Sequence, residues 1–147
     1  LDAADSAELK AWIAFYKSLR ERLHQGQVWR GRGEDGLVWQ AHGDAAAQDL
    51  LLLVYRTVPT THRYVPPLRL PMLDAGARYR VTQLLPEGGD PRAGQHGSAP
   101  FFEQLRTEQG LALDGAWLAQ AGLPMPRALA ETAFIVRLQR LDAGVAA

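Results

Sequence analysis

The sequence predicts a mainly β domain: an antiparallel Greek-key β-sandwich preceded by one N-terminal amphipathic α-helix. Apolar residues recur at three- and four-residue spacing from residue 6 to residue 25, and at two-residue spacing afterwards. The later apolar segments are short and are separated by joins rich in turn-forming residues. With 147 residues, the chain has the length of one domain. We therefore divide it into a helical segment, 1–26, and a β-sandwich domain, 27–147.

Residues 6–25 are predicted to form a single helix. Asp5 and Glu8 have the spacing of a capping box, and Gly26 stands where a glycine commonly ends a helix. Charged side chains fall mostly on one side of this helix. The other side is apolar and consists of Leu9, Trp12, Ile13, Tyr16, Leu19 and Leu23. An apolar face of this size requires a partner surface, either the sheet of the same domain or another chain.

After Gly26 the sequence pattern is that of β-strands. Leu50 to Val54 lacks polar alternation, which favours a central strand covered on both faces. Pro66 and Pro67 cannot donate ladder hydrogen bonds, so their strand is expected at an edge or bulge. The predicted strands cover residues 37–42, 50–54, 64–70, 78–82 and 134–139.

The longest predicted connection is a mobile loop at about 86–100. This segment contains four glycines and three prolines, a composition that buries little apolar surface. One helical turn with Phe101, Phe102 and Leu105 is expected to hold its far end. A second short helix is predicted from Gly115 to Ala121.

Composition excludes several classes of function. Sixteen basic and sixteen acidic residues give a formal net charge of +0, so no long-range field favours nucleic acid. The longest apolar run is far shorter than the roughly 20 residues that cross a bilayer, so no membrane partner is expected. The absence of cysteine excludes disulfides and thiolate metal sites. A reducing compartment fits this composition, and we expect a cytoplasmic location.

Motifs that could carry cofactor or metal chemistry are weak. Residues 31–36, GRGEDG, match a dinucleotide-binding pattern, but a strand follows them where that site requires a helix. Asp35-Gly36 instead predicts a hairpin turn. The histidines, His24, His42, His62 and His96, lack the spacing of a metal site. We predict no cofactor and no metal.

Catalytic residues are not predicted either. Glycoside hydrolysis needs two carboxyl groups held together, one ionised and one protonated. Asp44, Asp74 and Asp114 have sequence contexts typical of turns and caps, where the side chain bonds the local backbone. No serine lies in a nucleophile motif.

Tryptophans offer the alternative of a binding function. Trp39 shares a face with Leu37 and Ala41, which favours core packing over ligand contact. Trp29 and Trp117 are the candidates for stacking on a sugar, as in a carbohydrate-binding module.

Three stretches resemble the C-terminal region of glycoside hydrolase family 36, the bacterial α-galactosidases. IAFYKSLRERLHQG resembles the last helix of that family's catalytic (β/α)8 barrel. LRLPMLDAGARYRVTQL resembles its Leu-Asp-turn-Tyr-x-Val hairpin. DGAWLAQAGLPMP resembles the segment ahead of its final strand. The likeness covers most of residues 6–141, apart from 86 to about 109.

The resemblance implies a scaffold without an active site. The enzymes that it resembles hydrolyse terminal α-galactosides with retention, and their catalytic aspartates lie on barrel strands that have no counterpart here. It implies a non-catalytic accessory domain that stabilises an upstream barrel or its assembly. Pairing of two copies through Leu9, Trp12, Ile13, Tyr16 and Leu23 is the alternative for the helix face. The LRLPMLDAGARYRVTQL stretch is then expected to fill the sandwich core with Leu68, Leu70, Leu73, Tyr79 and Val81.

Overall fold

The computed structural model describes residues 2–96 and 99–142 and is mainly β after one long N-terminal helix. The helices are α1 (Ala3–His24), α2 (Pro100–Leu105) and α3 (Gly115–Gln120). The strands are β1 (Gln27–Arg32), β2 (Leu37–Gly43), β3 (Asp49–Arg56), β4 (Arg78–Gln83), β5 (Gln95–His96), β6 (Leu111–Asp114), β7 (Arg127–Ala128) and β8 (Thr132–Leu141).

Six of the described strands form one antiparallel sheet in the order β1-β2-β3-β8-β4-β6. The last strand, β8, is thus inserted between β3 and β4 and holds the two halves of the sheet together. Strands β5 and β7 pair separately. The predicted fold class, a mainly β antiparallel domain with an N-terminal helix, is confirmed.

The hydrophobic core lies on one face of the six-stranded sheet, which we call the inner face. Leu50, Leu52 and Val54 of β3 alternate towards it, as strand geometry requires. Connecting segments and the two short helices cover this face, in place of a second large sheet. The predicted core residues Leu68, Leu70, Leu73, Tyr79 and Val81 are all buried in it.

Two local predictions require correction. The capping box is formed by Asp2 and Asp5, whose carboxylates each accept from the other's backbone N–H, and not by Asp5 and Glu8. The same three-residue spacing exists one turn earlier, so α1 begins at Ala3. The strand predicted over 64–70 is reduced to a single bridge between Leu68 and Leu123, because Pro66 and Pro67 have no N–H to donate.

Other local predictions are confirmed. Asp35 and Gly36 have φ angles of 58° and 74°, the left-handed backbone of a tight hairpin turn between β1 and β2. The helices predicted around Phe101 and from Gly115 are α2 and α3. The segment at 86–100, predicted as a mobile loop, contains turns followed by β5; its mobility stays a prediction, and residues 97–98 lie outside the described residues.

Candidate docking surface

Helix α1 leaves its most apolar side open to solvent. Leu9, Trp12, Ile13 and Tyr16 are 41–49% exposed, and we call these four residues the outer stripe. No residue of α1 is buried. The half-buried side is instead formed by Ala11, Phe15, Leu19, Arg22 and Leu23. Leu23, which the sequence groups with the outer stripe, therefore lies apart from it.

An ion-pair network fixes the last turns of α1 to the sheet. Asp49 of β3 accepts from Arg22 of α1 at 3.2 Å and from both Nε and Nη2 of Arg137 at 3.0 Å. The bond to Asp49 raises the pKa of Arg137. Asp49 and Arg137 lie on the face opposite the core, which we call the outer face. The C-terminal end of α1 therefore covers the outer face.

A histidine is buried at the same junction. His42 of β2 is directly opposite Leu51 of β3, and both are buried on the outer face. Neither ring nitrogen of His42 has a hydrogen-bond partner of normal geometry. Burial lowers the pKa of His42, an effect that the nearby Leu23 carbonyl offsets only in part, and Arg30 and His24 lower it further. Burial beneath the end of α1 therefore favours the neutral imidazole of His42.

The outer face of the sheet carries a mostly apolar groove of about 300 Å³ beside the part that α1 covers. Val38 lies beside Tyr55 and Leu53 beside Ile135, with Ala133 at one end, and Arg30 and Gln40 also line the groove. Tyr55 is exposed, and the other large apolar side chains of this group are half-buried.

A larger cleft of about 860 Å³ separates the N-terminal half of α1 from the segments at 83–95 and 129–133. Trp12 of the outer stripe lines this cleft, and Ala133 lines both this cleft and the apolar groove. The cleft therefore adjoins the outer stripe at Trp12 and the groove at Ala133. Neither the periodicity of α1 nor the strand patterns predicted this arrangement, because it depends on how the helix crosses the sheet.

The tryptophans proposed as sugar contacts lie elsewhere. Trp29 of β1 is half-buried and packs against the core. Trp117 of α3 is 41% exposed. Neither lines the cleft beside α1 or the apolar groove. Trp39, expected in the core, packs against it but also reaches the groove.

Among the described residues, no group of three or more histidine, aspartate or glutamate side chains is placed to hold a metal ion. No helix within that part of the chain has the length and apolar character needed to cross a membrane.

Comparison with known proteins identifies the relatives of this chain. An α-galactosidase of Escherichia coli is 29% identical over 151 residues, which include 95% of this chain but only 20% of that enzyme. The chain resembles the C-terminal region of the family 36 α-galactosidases. The predicted resemblance is therefore confirmed. No protein-family model matches the chain.

Solved structures show that the fold is shared. A family 36 α-galactosidase from Geobacillus stearothermophilus, in complex with raffinose, superimposes with a TM-score of 0.67 at 21% identity. An α-galactosidase from Lactobacillus brevis superimposes with a TM-score of 0.69 at 12% identity. The chain is covered over 96% and 100% of its length, but it spans only 16% and 18% of those enzymes. It therefore corresponds to a small part of much longer polypeptides.

Proposed function

We propose that this chain is the non-catalytic C-terminal accessory domain of an α-galactosidase-like glycoside hydrolase. In this proposal it stabilises the catalytic (β/α)8 barrel of the same polypeptide, or the assembly of that barrel. The outer stripe of α1 is the observation that carries the proposal. Four large apolar side chains on one helix face are unusual on a surface that contacts nothing.

The energetics favour a docking role for this surface. Full burial of a large apolar side chain stabilises by about 1.5–3 kcal/mol, so covering the exposed half of each outer-stripe residue contributes about 1 kcal/mol. The apolar groove beside Leu53 and Ile135 adds apolar area on the outer face. A folded partner that covers both would stabilise the complex by several kcal/mol.

We expect no glycosidase pair among the acidic residues of the described chain. Asp49 accepts from two arginines, and Asp35 accepts from the buried Arg56 at 3.2 Å. A retaining glycosidase instead holds an acid and a nucleophile about 5–5.5 Å apart in a shaped pocket. In barrel enzymes such residues lie at the C-terminal ends of the barrel strands.

The isolated chain is therefore expected to show no turnover of a nitrophenyl α-galactoside. The measurement is release of nitrophenol by purified chain, with the complete polypeptide as the positive control. Turnover that survives purification and disappears when one acid of this chain is changed to its amide would contradict the proposal.

Docking is tested with the polypeptide that carries both this chain and a catalytic barrel. Trp12→Asp combined with Ile13→Asp should lower the melting temperature and shorten the half-life of activity on heating, because the docked surface is disrupted. The matched control, Ala14→Asp with Lys17→Asp, places two aspartates on the polar side of α1, away from the outer stripe. It should change neither the melting temperature nor the half-life. Equal effects of the two double variants would refute docking through the outer stripe.

Self-association is the alternative use of the same surface. Sedimentation of the isolated chain distinguishes the two, because a second copy on the outer stripe predicts a dimer that the Trp12→Asp, Ile13→Asp variant dissociates. Docking to the barrel is supported instead if the isolated chain is a monomer and the melting temperature of the complete polypeptide depends on Trp12 and Ile13.

A carbohydrate-binding module is the second candidate function, and the exposure of the Trp117 ring favours it. Trp29, the other tryptophan predicted for this role, offers less surface because it packs against the core. Loss of saccharide binding on Trp117→Ala would support this candidate.

A further inference from the structure

A third cleft, of about 360 Å³, lies away from α1, where the tip of the β1–β2 hairpin meets a proline-rich segment. None of its lining residues belongs to the outer stripe or to the apolar groove apart from Trp39. Its walls are Gly31, Arg32, Gly33, Glu34, Trp39, Pro66, Pro67, Leu68, Arg69 and Pro71. Its volume falls within the range of small-molecule sites.

The indole of Trp39 is fixed at one side of this cleft. Gly31 pairs directly with Trp39 across the hairpin. A Cβ on Gly31 would lie 2.7–2.8 Å from three atoms of the indole, so the ring lies against bare backbone. A flat aromatic ring whose position is set by the backbone can stack on the C–H face of a sugar with little loss of entropy.

The opposite wall is equally well anchored. Leu68 exchanges two backbone hydrogen bonds of 2.8 Å with Leu123, and the N–H of Leu70 donates to the carbonyl of Leu118 at 3.1 Å. Pro66 and Pro67 restrict the backbone just before these bonds. The cleft is therefore preformed.

Polar side chains at the rim have unused hydrogen-bonding capacity. Glu34 and Arg69 are exposed, and neither side chain has a hydrogen bond or ion pair among the described residues. Guanidinium groups donate and a carboxylate accepts, which together match the hydroxyl groups of a sugar. The two other clefts lack this combination: the groove is mostly apolar, and the cleft beside α1 is lined by four carboxylates and no cation.

We propose that this cleft is a saccharide-binding site, with Trp39 as the stacking surface and Glu34 and Arg69 as the hydroxyl-binding groups. Mixed charge at the rim favours a neutral polyhydroxylated ligand over a phosphate or a peptide of one charge sign. The choice of an α-galactosyl oligosaccharide as ligand rests on the proposed function.

Isothermal titration of the isolated chain with raffinose and stachyose tests the site. Glu34→Gln and Arg69→Ala change exposed residues, so both variants should fold as the wild type does by circular dichroism. Each should weaken binding about tenfold, the usual cost of losing a charge-assisted hydrogen bond. Glu21→Gln, a change at an exposed residue of α1 outside the cleft, is the matched control and should bind as the wild type does.

Three outcomes would overturn the site: no saccharide binding by the wild type, binding that both rim variants retain in full, or binding that only Trp117→Ala abolishes. The Trp12→Asp, Ile13→Asp variant should bind raffinose normally, because the outer stripe does not line the cleft. Failure of the saccharide site would therefore leave the docking proposal standing, and a failure of docking would leave raffinose binding measurable.

Discussion

The two faces of the six-stranded sheet differ in how they are covered. On the inner face, Leu50, Leu52 and Val54 are buried beneath connecting segments of the same chain. On the outer face, Leu51 is buried near the end of α1, but Leu53 and Tyr55 of the same strand remain partly or largely exposed. One strand thus contributes to a closed core and to an open apolar surface.

This difference separates the residues that stabilise the fold from the surface that is available to a partner. The inner face closes with residues of this chain, so it provides the free energy of folding of the isolated domain. The outer face and the outer stripe of α1 retain apolar area that folding of this chain does not remove from water. Such area contributes free energy only when a second folded surface covers it.

The largest expected effect comes from breaking the inner face. Leu52→Ala should lower the free energy of unfolding by about 3 kcal/mol, because it removes a fully buried side chain and leaves a cavity. Its neighbour Leu53, which points to the outer face, is the matched position. Leu53→Ala should cost about 1 kcal/mol, since that side chain is only half-buried.

Urea unfolding of both variants measures this contrast, provided that the dependence on denaturant concentration stays equal to that of the wild type. Equal losses for Leu52→Ala and Leu53→Ala would mean that the outer face is closed in solution and would remove the basis for a docking surface.

The sequence predicts the inner face better than the outer one. Alternation in β2, β3, β4 and β8 identifies the core, because a strand fixes which side chains share a face. The outer surface depends on where α1 crosses the sheet. The Arg22–Asp49–Arg137 network joins residues far apart in the chain, and no local spacing indicates it.

The saccharide cleft illustrates the same limit. GRGEDG predicts the hairpin turn, and the prolines at 66 and 67 predict a poorly paired segment. Neither pattern indicates that the two segments meet, because the bonds from Leu68 to Leu123 bring them together through a third part of the chain. The sequence therefore predicts only core packing for Trp39, whereas in the structure Trp39 also lines the cleft.

A smaller effect is expected where α1 is tied to the outer face. Asp49→Asn should lower the free energy of unfolding by about 1 kcal/mol and speed amide exchange in the last turns of α1, because two arginines lose their anionic partner. Asp114→Asn removes an exposed pair with Arg78 at the β4–β6 edge of the sheet, away from α1, and is the matched control.

Hydrogen exchange followed by mass spectrometry reads out both variants. Faster amide exchange confined to α1 in Asp49→Asn, with unchanged exchange in Asp114→Asn, would show that few contacts hold α1 while the inner face stays closed. Unchanged exchange in α1 would show that the apolar contacts of Phe15 and Leu19, and not the ion pairs, hold the helix.

The smallest expected effect is a dependence on pH at His42, which is buried on the outer face beneath the end of α1. Because burial lowers the pKa of His42 in the folded state, the unfolded chain binds the proton more readily. Its contribution to stability is therefore fully present above the ordinary histidine pKa of about 6.5 and is lost as the pH falls through that value towards the folded-state pKa. The charges facing the ring, Arg30 of β1 and His24 of α1, reinforce this direction.

His42→Leu should flatten the decrease in unfolding free energy between about pH 7.5 and pH 5.5. Chemical unfolding at several pH values measures the slope for the wild type and for His42→Leu. If the His42→Leu slope equals that of the wild type, His42 is protonated as easily in the folded chain as in the unfolded one, and the end of α1 does not shield the outer face.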